Sequence, residues 1–105
     1  MRENAYQAGL IERLHAIFEG CFIMKNDTHS RQGVPDLLIL YKDRWAMLEV
    51  KKSEDAAIQP NQDYYVDLFD GMSFAAYIYP ENEEDVLDEL QHAFKVRRTT
   101  RLLKS

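Results

Sequence analysis

Three residues in the middle of the chain carry side chains that could together do chemistry on a phosphate. Asp36 is followed, after twelve intervening residues, by Glu49, and Lys51 comes two positions later. Two carboxylates held together repel each other, and an oxygen-lined pocket of this kind suits a hard cation such as Mg²⁺ or Mn²⁺. A neighbouring ammonium could steer an attacking water or stabilise a pentacovalent phosphate. The pattern is therefore typical of metal-assisted phosphate chemistry, provided that the fold brings the three side chains together.

The residues between the two acids predict the element that would bring them together. Two short apolar runs, 37–41 and 45–48, are joined by a polar connection, which is the pattern of a β-hairpin. If residues 42–43 form a two-residue loop, counting outward along the two strands places Asp36 directly opposite Glu49. Directly opposed residues share one face of the sheet, with Cβ atoms about 4.5–5.5 Å apart.

Strand alternation adds the lysine to the same face. Lys51 is two positions from Glu49 and so points the same way, whereas Val50 points to the other side of the sheet. One face would then carry two acids and an ammonium. The alternative is an ordinary hairpin in which Asp36 caps a turn and the other two charged side chains are solvated neighbours.

These residues resemble a known nuclease signature. Pro35-Asp36 followed by Glu49-Val50-Lys51 resembles the PD-(D/E)xK motif. The preceding Gly33-Val34 is similar to the GvPD form found in the virus-type replication-repair (VRR-NUC) and Holliday-junction-resolvase-like branches. The resemblance implies an α/β fold with a restriction-endonuclease-like αβββαβ core, in which helices flank a mixed central sheet.

The resemblance also implies a role for each residue of the motif. Asp36, Glu49 and the Val50 carbonyl would hold Mg²⁺ or Mn²⁺. Lys51 would orient the attacking water. The implied reaction is hydrolysis of DNA phosphodiester bonds, which leaves a 5′-phosphate and a 3′-hydroxyl.

The first helix offers a further acid. Apolar periodicity predicts a helix over residues 3–19. The core-facing stripe of this helix contains Leu10, Leu14 and Ile17. At 100° per residue, Glu3 lies within about 20° of that stripe, whereas Glu12 points the opposite way. Many nucleases of the family carry such an acid, so we expect Glu3 to be a direct or water-mediated metal ligand; the alternative is a frayed, solvated first turn.

The second helix offers a glutamine. Pro60 at the start and Gly71 past the finish predict a helix between them. Gln62 lies on its inward face, at the first turn. Family members place a glutamine near the start of this helix, beside the metal site, and Gln62 matches that position better than Gln59. The alternative is that Gln62 only caps its own helix.

The remaining elements complete the predicted order. Residues 21–24 predict a first strand, and the near-continuous apolar run over 73–79 predicts a strand in the interior of the sheet. The acidic run 81–85 suits the N-terminus of a last helix, because acids are favourable at the positive end of the helix dipole. The order helix, strand, strand, strand, helix, strand matches the αβββαβ core over residues 3–79, followed by the C-terminal helix.

Charge is distributed unevenly along the chain. The net charge is −5, but residues 95–105 hold five basic residues and no acid. The remaining residues hold eight basic and eighteen acidic side chains. We therefore expect a nuclease domain over residues 1–94 and a basic C-terminal tail over 95–105 that contacts a polyanion. A solvated, disordered end is the alternative.

The predicted DNA contacts lie outside the motif. The polar loop 25–33 leads into the predicted catalytic strand, and such loops often touch substrate. The basic side chains that we expect to contact DNA are Arg31, His29, Lys52, Arg97, Arg98 and Arg101. Arg31 is the foremost of these, since for His29 a loop position that simply faces water is the alternative.

Composition restricts the cellular setting. Apolar residues make up 46% of the chain and charged residues 30%, as in soluble globular proteins. No apolar run approaches the length needed to span a bilayer, and the first residues lack the apolar core of a signal peptide. The lone Cys21 cannot form an internal disulfide. These features predict a cytoplasmic protein that does not bind membranes.

Taken with the resemblance, the residues predict a Mg²⁺-dependent DNA endonuclease. Small members of this family are commonly structure-selective enzymes of phages and mobile elements that act in replication, repair or recombination. A Holliday-junction resolvase cuts two strands symmetrically and would require a two-fold homodimer. The alternatives are a non-catalytic DNA- or protein-binding module that retains the fold, and a metal-dependent RNase.

Overall fold

The computed structural model describes residues 2–27 and 31–104, with side chains described as far as Lys95. Its elements, in chain order, are α1 (Glu3–Ile17), β1 (Phe22–Lys25), β2 (Leu37–Tyr41), β3 (Arg44–Val50), α2 (Gln62–Met72), β4 (Ala75–Ile78) and α3 (Glu83–Lys104). The predicted αβββαβ order with a C-terminal helix is therefore confirmed. Within the described residues, no helix combines the length and the apolar character needed to cross a membrane.

The central hairpin has the register that the sequence predicts. β2 and β3 are antiparallel, and Tyr41 pairs with Arg44 across the two-residue connection. Lys42 takes up a positive φ of 58° there, a conformation that tight turns commonly require. At the other end of the ladder Leu37 pairs with Leu48. The next position outward on each strand is an acid, Asp36 on one and Glu49 on the other.

The described strands form a mixed sheet in the order β1-β2-β3-β4. β1 is antiparallel to β2, and β4 is parallel to β3. The prediction that the apolar fourth strand lies in the interior of the sheet is wrong, because β4 is at the edge. Its apolar character has another cause: α2 packs against β3 and β4, while Ala76 and Ile78 face the core that α3 helps to form. Helices on both faces bury an edge strand as effectively as neighbouring strands would.

The hydrophobic core lies on the face of the sheet that α1 and α3 cover. The sheet contributes the fully buried Leu37, Ile39, Ala46, Leu48, Val50 and Ile78. The helices contribute Tyr6, Leu10, Leu14, Phe18, Val86, Leu87, Leu90 and Phe94. Ile17 was expected on the buried stripe of α1 but is 38% exposed, because the buried line advances by four residues, from Tyr6 to Phe18.

Two contacts join the first and last helices. Glu83, in the first turn of α3, accepts a hydrogen bond from the Tyr6 hydroxyl at 2.7 Å. The same carboxylate is held by the Arg13 guanidinium at 2.6 and 2.7 Å, a two-point contact. The acidic start of α3 thus has a structural use, in addition to its favourable position at the helix dipole.

The basic end of the chain continues the last helix. α3 runs to Lys104, so the backbone of residues 95–104 is helical and no separate extended tail begins at residue 95. The division into a domain over residues 1–94 and a basic tail over 95–105, and the contacts of that tail with a polyanion, stay predictions. Phe94 is the last core residue among the described side chains of this helix, and the basic residues follow it in the sequence.

Candidate active site

The two acids of the motif meet at the end of the β2–β3 hairpin. One Asp36 oxygen, Oδ2, accepts a hydrogen bond from the Val50 main-chain N–H at 2.9 Å, which fixes this carboxylate against β3. Glu49 is only 3% exposed. One of its oxygens, Oε1, is buried and finds no hydrogen-bond partner among the described residues. A buried carboxylate oxygen without a partner costs free energy, which a cation or a proton shared with Asp36 would offset.

The pKa values of both acids are raised above their ordinary values. Burial, and then the charge of Asp36, raise the pKa of Glu49 to about 8. Burial also raises the pKa of Asp36, against the lowering effect of the Val50 N–H. Two carboxyl groups this close in a poorly solvated place do not both ionise readily. Without a cation, the pair therefore retains a proton near neutral pH.

The ammonium of the motif is held beside this pair. Lys51 is 7% exposed, and its Nζ lies 3.8 Å from Glu49 Oε2. The ammonium donates to the Ala57 carbonyl at 2.9 Å and to Gln62 Oε1 at 2.7 Å. These bonds use two of its three donors and set its position within the site. The predicted face with two acids and a lysine is thus present in the structure.

Gln62 connects the charged groups to the second helix. Its Oε1 accepts from Lys51 and also from the main-chain N–H of Gln59 at 2.8 Å, while its Nε2 donates to Glu49 Oε2 at 2.9 Å. An ammonium can only donate and a carboxylate can only accept, so the chemistry of the partners fixes which end of the amide faces which group. The alternative in which Gln62 only caps its own helix is not what the structure shows, since its side chain engages both Glu49 and Lys51.

These side chains open into a cavity of about 720 Å³. Besides the motif residues, it is lined by Glu3, Gln32, Lys52 and Gln62. Glu3 is on an exposed first turn, yet partial burial of its carboxyl and then the charge of Asp36 raise its pKa. Of the two acids compared by their position around the helix, Glu3 borders the cavity and Glu12 does not.

The other predicted DNA contacts are distributed differently. Lys52 borders the cavity, whereas Arg31 is exposed and outside its lining. His29 lies outside the described residues. Arg97, Arg98 and Arg101 belong to the part of α3 whose side chains are not described. For all six of these basic residues, Lys52 and Arg31 included, contact with DNA stays a prediction.

Several residues that shape the site had no signal in the sequence. The Ala57 carbonyl and the Gln59 N–H belong to the connection after β3, which looks like an ordinary polar loop. Main-chain groups carry no side-chain pattern, so only the folded path of the loop reveals them. The sequence did not single out Asn61 either, although a positive φ, here 70° directly before a helix, is more common for asparagine than for most residues.

The donor set fits a hard divalent cation that keeps part of its water shell. Within residues 2–27 and 31–104, no group of three or more His, Cys, Asp or Glu side chains is arranged as a metal site. Two carboxylates, one of them with an oxygen that has no hydrogen-bond partner among the described residues, are instead the kind of incomplete all-oxygen set that Mg²⁺ accepts, because it dehydrates reluctantly. The buried Glu49 Oε1 is an oxygen to which a cation could bind.

Comparison with known proteins agrees with the motif. No family model matches the chain, and no curated protein matches it in sequence. A solved structure named "VRR_NUC domain" is 26% identical, covers 86% of this chain and 95% of its own, and gives a TM-score of 0.65. A second, named "VRR_NUC domain protein", is 16% identical, with 90% and 89% covered and a TM-score of 0.65. The resemblance to the VRR-NUC branch of the PD-(D/E)xK nucleases is thereby confirmed, as is the restriction-endonuclease-like fold.

Proposed function

We propose that this chain, which shares the VRR-NUC fold, is a metal-dependent nuclease that hydrolyses phosphodiester bonds in DNA. The observation that carries the proposal is the buried Glu49, whose oxygen Oε1 has no hydrogen-bond partner among the described residues, next to Asp36 and 3.8 Å from the Lys51 ammonium. A buried carboxylate oxygen without a partner beside a second carboxyl group calls for an explanation, and a bound cation supplies one.

Four groups would hold the cation. Asp36 and Glu49 would bind Mg²⁺ or Mn²⁺ together with the Val50 carbonyl, and Glu3, at the rim of the cavity, would add a direct or water-mediated ligand. When bound, the cation would supply positive charge to the scissile phosphate and to the leaving oxygen. Its charge would also lower the pKa of the two acids, against the raising effect of burial.

The remaining residues would prepare the attack. Lys51 would direct the attacking water towards the phosphate, since Gln62 and the Ala57 carbonyl fix the ammonium on two sides. Gln62 would hold Glu49 and Lys51 in place relative to each other, because its amide forms a hydrogen bond with each of them. In-line attack by water would break the bond to the 3′ oxygen, giving a 5′-phosphate and a 3′-hydroxyl.

DNA would be held by basic groups outside the acidic body. Lys52 borders the cavity, and we propose that Arg31, His29 and the basic segment 95–105 contact phosphates beyond it. Removal of residues 95–105 should weaken DNA binding and reduce the slope of log K against log salt by several phosphate contacts. An unchanged slope in binding titrations would assign this segment another role.

The substrate that we propose is branched DNA. A resolvase must cut two strands symmetrically, so this proposal includes a two-fold homodimer with both cavities on one side. The setting in phage or mobile-element recombination, in the cytoplasm, follows from the same family analogy and stays a prediction. Sedimentation of the protein alone and with a four-way junction measures whether two chains assemble.

Cleavage assays test the proposal directly. The protein and its Asp36→Asn variant would be incubated with Mg²⁺ or Mn²⁺ and with four-way junctions, flaps, linear duplex or single strands. We expect the wild type to cut and the variant to be inactive, with the junction as the preferred substrate. Equal cutting by the two proteins would exclude this site. Absence of cutting together with tight DNA binding would indicate the non-catalytic module.

A further inference from the structure

The glycine of the motif packs directly on the start of the second helix. Gly33 is buried and has a φ of +96°. A Cβ atom added there would lie 2.7 Å from the Asn61 Cβ, 2.8 Å from its carbonyl carbon and 3.0 Å from its carbonyl oxygen. Two of these three atoms belong to the main chain, so a side chain at position 33 could be accommodated only by a shift of the backbone.

Asn61 is the residue from which α2 starts. It has a left-handed conformation, with φ 70° and ψ −4°, and its carbonyl accepts the Tyr65 N–H at 3.1 Å. Gln62 is the next residue and the first of the helix. A shift of Asn61 therefore moves the Gln62 backbone and disturbs the first turn of α2 at the same time.

The Gln62 side chain has little freedom to compensate for such a shift. It is 9% exposed and makes three hydrogen bonds of 2.7, 2.8 and 2.9 Å, one of them to Lys51 and one to Glu49. Hydrogen bonds weaken when donor and acceptor move a few tenths of an ångström beyond these distances. Glu49 belongs to β3 and Lys51 follows directly after that strand, whereas Asn61 belongs to the connection that leads into α2.

We propose that Gly33 and Asn61 are positioning residues, which set the place of Gln62 and, through it, of the Lys51 ammonium relative to Glu49. The turn that delivers Asp36 and the helix that delivers Gln62 are thus locked by one backbone contact. This inference rests on the proposed nuclease function for its consequence in catalysis. The contact itself is independent of that function.

Two glycine variants test the contact, and the chain supplies its own control. Gly20 has a φ of +86°, close to that of Gly33, but a Cβ there would meet nothing within 4 Å. Gly33→Ala and Gly20→Ala therefore impose similar backbone strain, and only the first also displaces Asn61. We expect Gly33→Ala to lower kcat on DNA by about tenfold or more with little change in KM, since small misplacements are costly in catalysis. Gly20→Ala should retain the wild-type kcat.

A second background shows whether Gly33 acts through Gln62. In a Gln62→Ala protein, adding Gly33→Ala should reduce kcat by much less than it does in the wild type, because the group that it displaces is already absent. A full tenfold loss in both backgrounds would overturn the proposal, since Gly33 would then act by another route.

Nuclear magnetic resonance of the metal-free protein gives a readout that does not depend on activity. The Gln62 side-chain amide should be shifted and slow to exchange in the wild type and in Gly20→Ala, and should lose both properties in Gly33→Ala. If Gly33→Ala does not fold, Asn61→Ala disturbs the same contact from the other partner, because alanine tolerates a positive φ less well than asparagine. Unchanged Gln62 signals in the folded variant would overturn the proposal. If the wild type cuts no DNA, the proposed nuclease function is wrong. The Gln62 signals would still show whether Gly33 and Asn61 set the position of Gln62.

Discussion

The two faces of the β2–β3 hairpin differ completely, although successive residues of the same strands build them. On one face Leu37 pairs with Leu48 and both are fully buried beneath α1 and α3. One position further, on the other face, Asp36 and Glu49 oppose each other beside the start of α2. The first pair stabilises the fold by removing apolar surface from water. The second pair costs stability, because burial raises the pKa of both acids and the charge of Asp36 raises that of Glu49 further.

The contrast shows how a small protein can separate stability from chemistry. Strand alternation assigns neighbouring residues to opposite faces, so the core can be optimised without changing the acids. The face with the acids is also the less completely covered one, since Phe22, Met24 and Leu40 remain exposed further along it. We therefore expect substitutions on the two faces to change different measured quantities.

The largest effect is expected on the apolar face. Leu48→Ala removes a fully buried side chain from the centre of the sheet and should lower the free energy of unfolding by about 2–5 kcal/mol. Urea unfolding measures this change. At a temperature where the variant stays folded, its kcat should remain close to that of the wild type. A large loss of kcat in the folded variant would mean that the two faces are not independent.

The adjacent residue should give the opposite result. Glu49→Gln removes the charge of a 3% exposed carboxyl and should reduce cleavage at least about a hundredfold, close to 2.7 kcal/mol in barrier height. The same variant should be as stable as the wild type or more stable, because the buried conflict with Asp36 disappears. Cleavage rates and urea unfolding are measured on the same preparation. Destabilisation comparable with that of Leu48→Ala would contradict the separation of roles.

Between pH 4.5 and about 8, the acidic face should contribute a pH dependence to stability. The pKa of Glu49 is 4.5 for the ordinary side chain and about 8 in the folded protein, so the folded state binds more protons between these values. The contribution to stability is therefore fully present below pH 4.5 and is lost as the pH rises through about 8. Metal-free wild type should lose stability across this window, and Glu49→Gln should lose less. Saturating Mg²⁺ should flatten the wild-type curve; equal slopes for both proteins would assign the pH dependence to other groups.

The smallest effect tests how far the acidic face extends. Glu3 borders the cavity from α1, whereas Glu12 is on the same helix and outside the lining. Glu3→Gln should reduce cleavage about tenfold, near 1.4 kcal/mol, as is usual for a residue that acts on a metal site from its edge. Glu12→Gln changes the net charge equally and should leave the rate unchanged. Equal losses in the two variants would indicate a general effect of charge.

Local pattern was sufficient to predict the hairpin and its register. The loop at 42–43 and the period of two along the strands determine which residues oppose each other, and both are visible in the sequence. The phase of α1 likewise selected Glu3, and the first turn of α2 selected Gln62. The register is confirmed because it depends only on one tight turn and the period of the strands, and the roles of Glu3 and Gln62 stay predictions although both residues border the cavity.

Long-range pairing and backbone contacts could not be predicted in this way. The apolar sequence of β4 predicts an interior strand, but the structure places β4 at the edge of the sheet. Helices that pack against it, which the sequence of the strand does not show, account for its apolar character. The extension of α3 through the basic segment was missed because those residues have no regular apolar stripe. The approach of Gly33 to Asn61 joins residues that only the complete fold brings together.

The tight turn at Lys42 and Asp43 has a consequence for how this sequence can change. Surface loops usually accept insertions, and this turn lies about 17 Å along the strands from the acids, at roughly 3.3 Å per residue. One added residue there would slip the strands by a single step and turn Asp36 or Glu49 into the core. Homologues of this chain should therefore differ freely in the residues of this turn but hardly at all in its length. Gaps in an alignment should avoid the turn, although it lies far from the two acids.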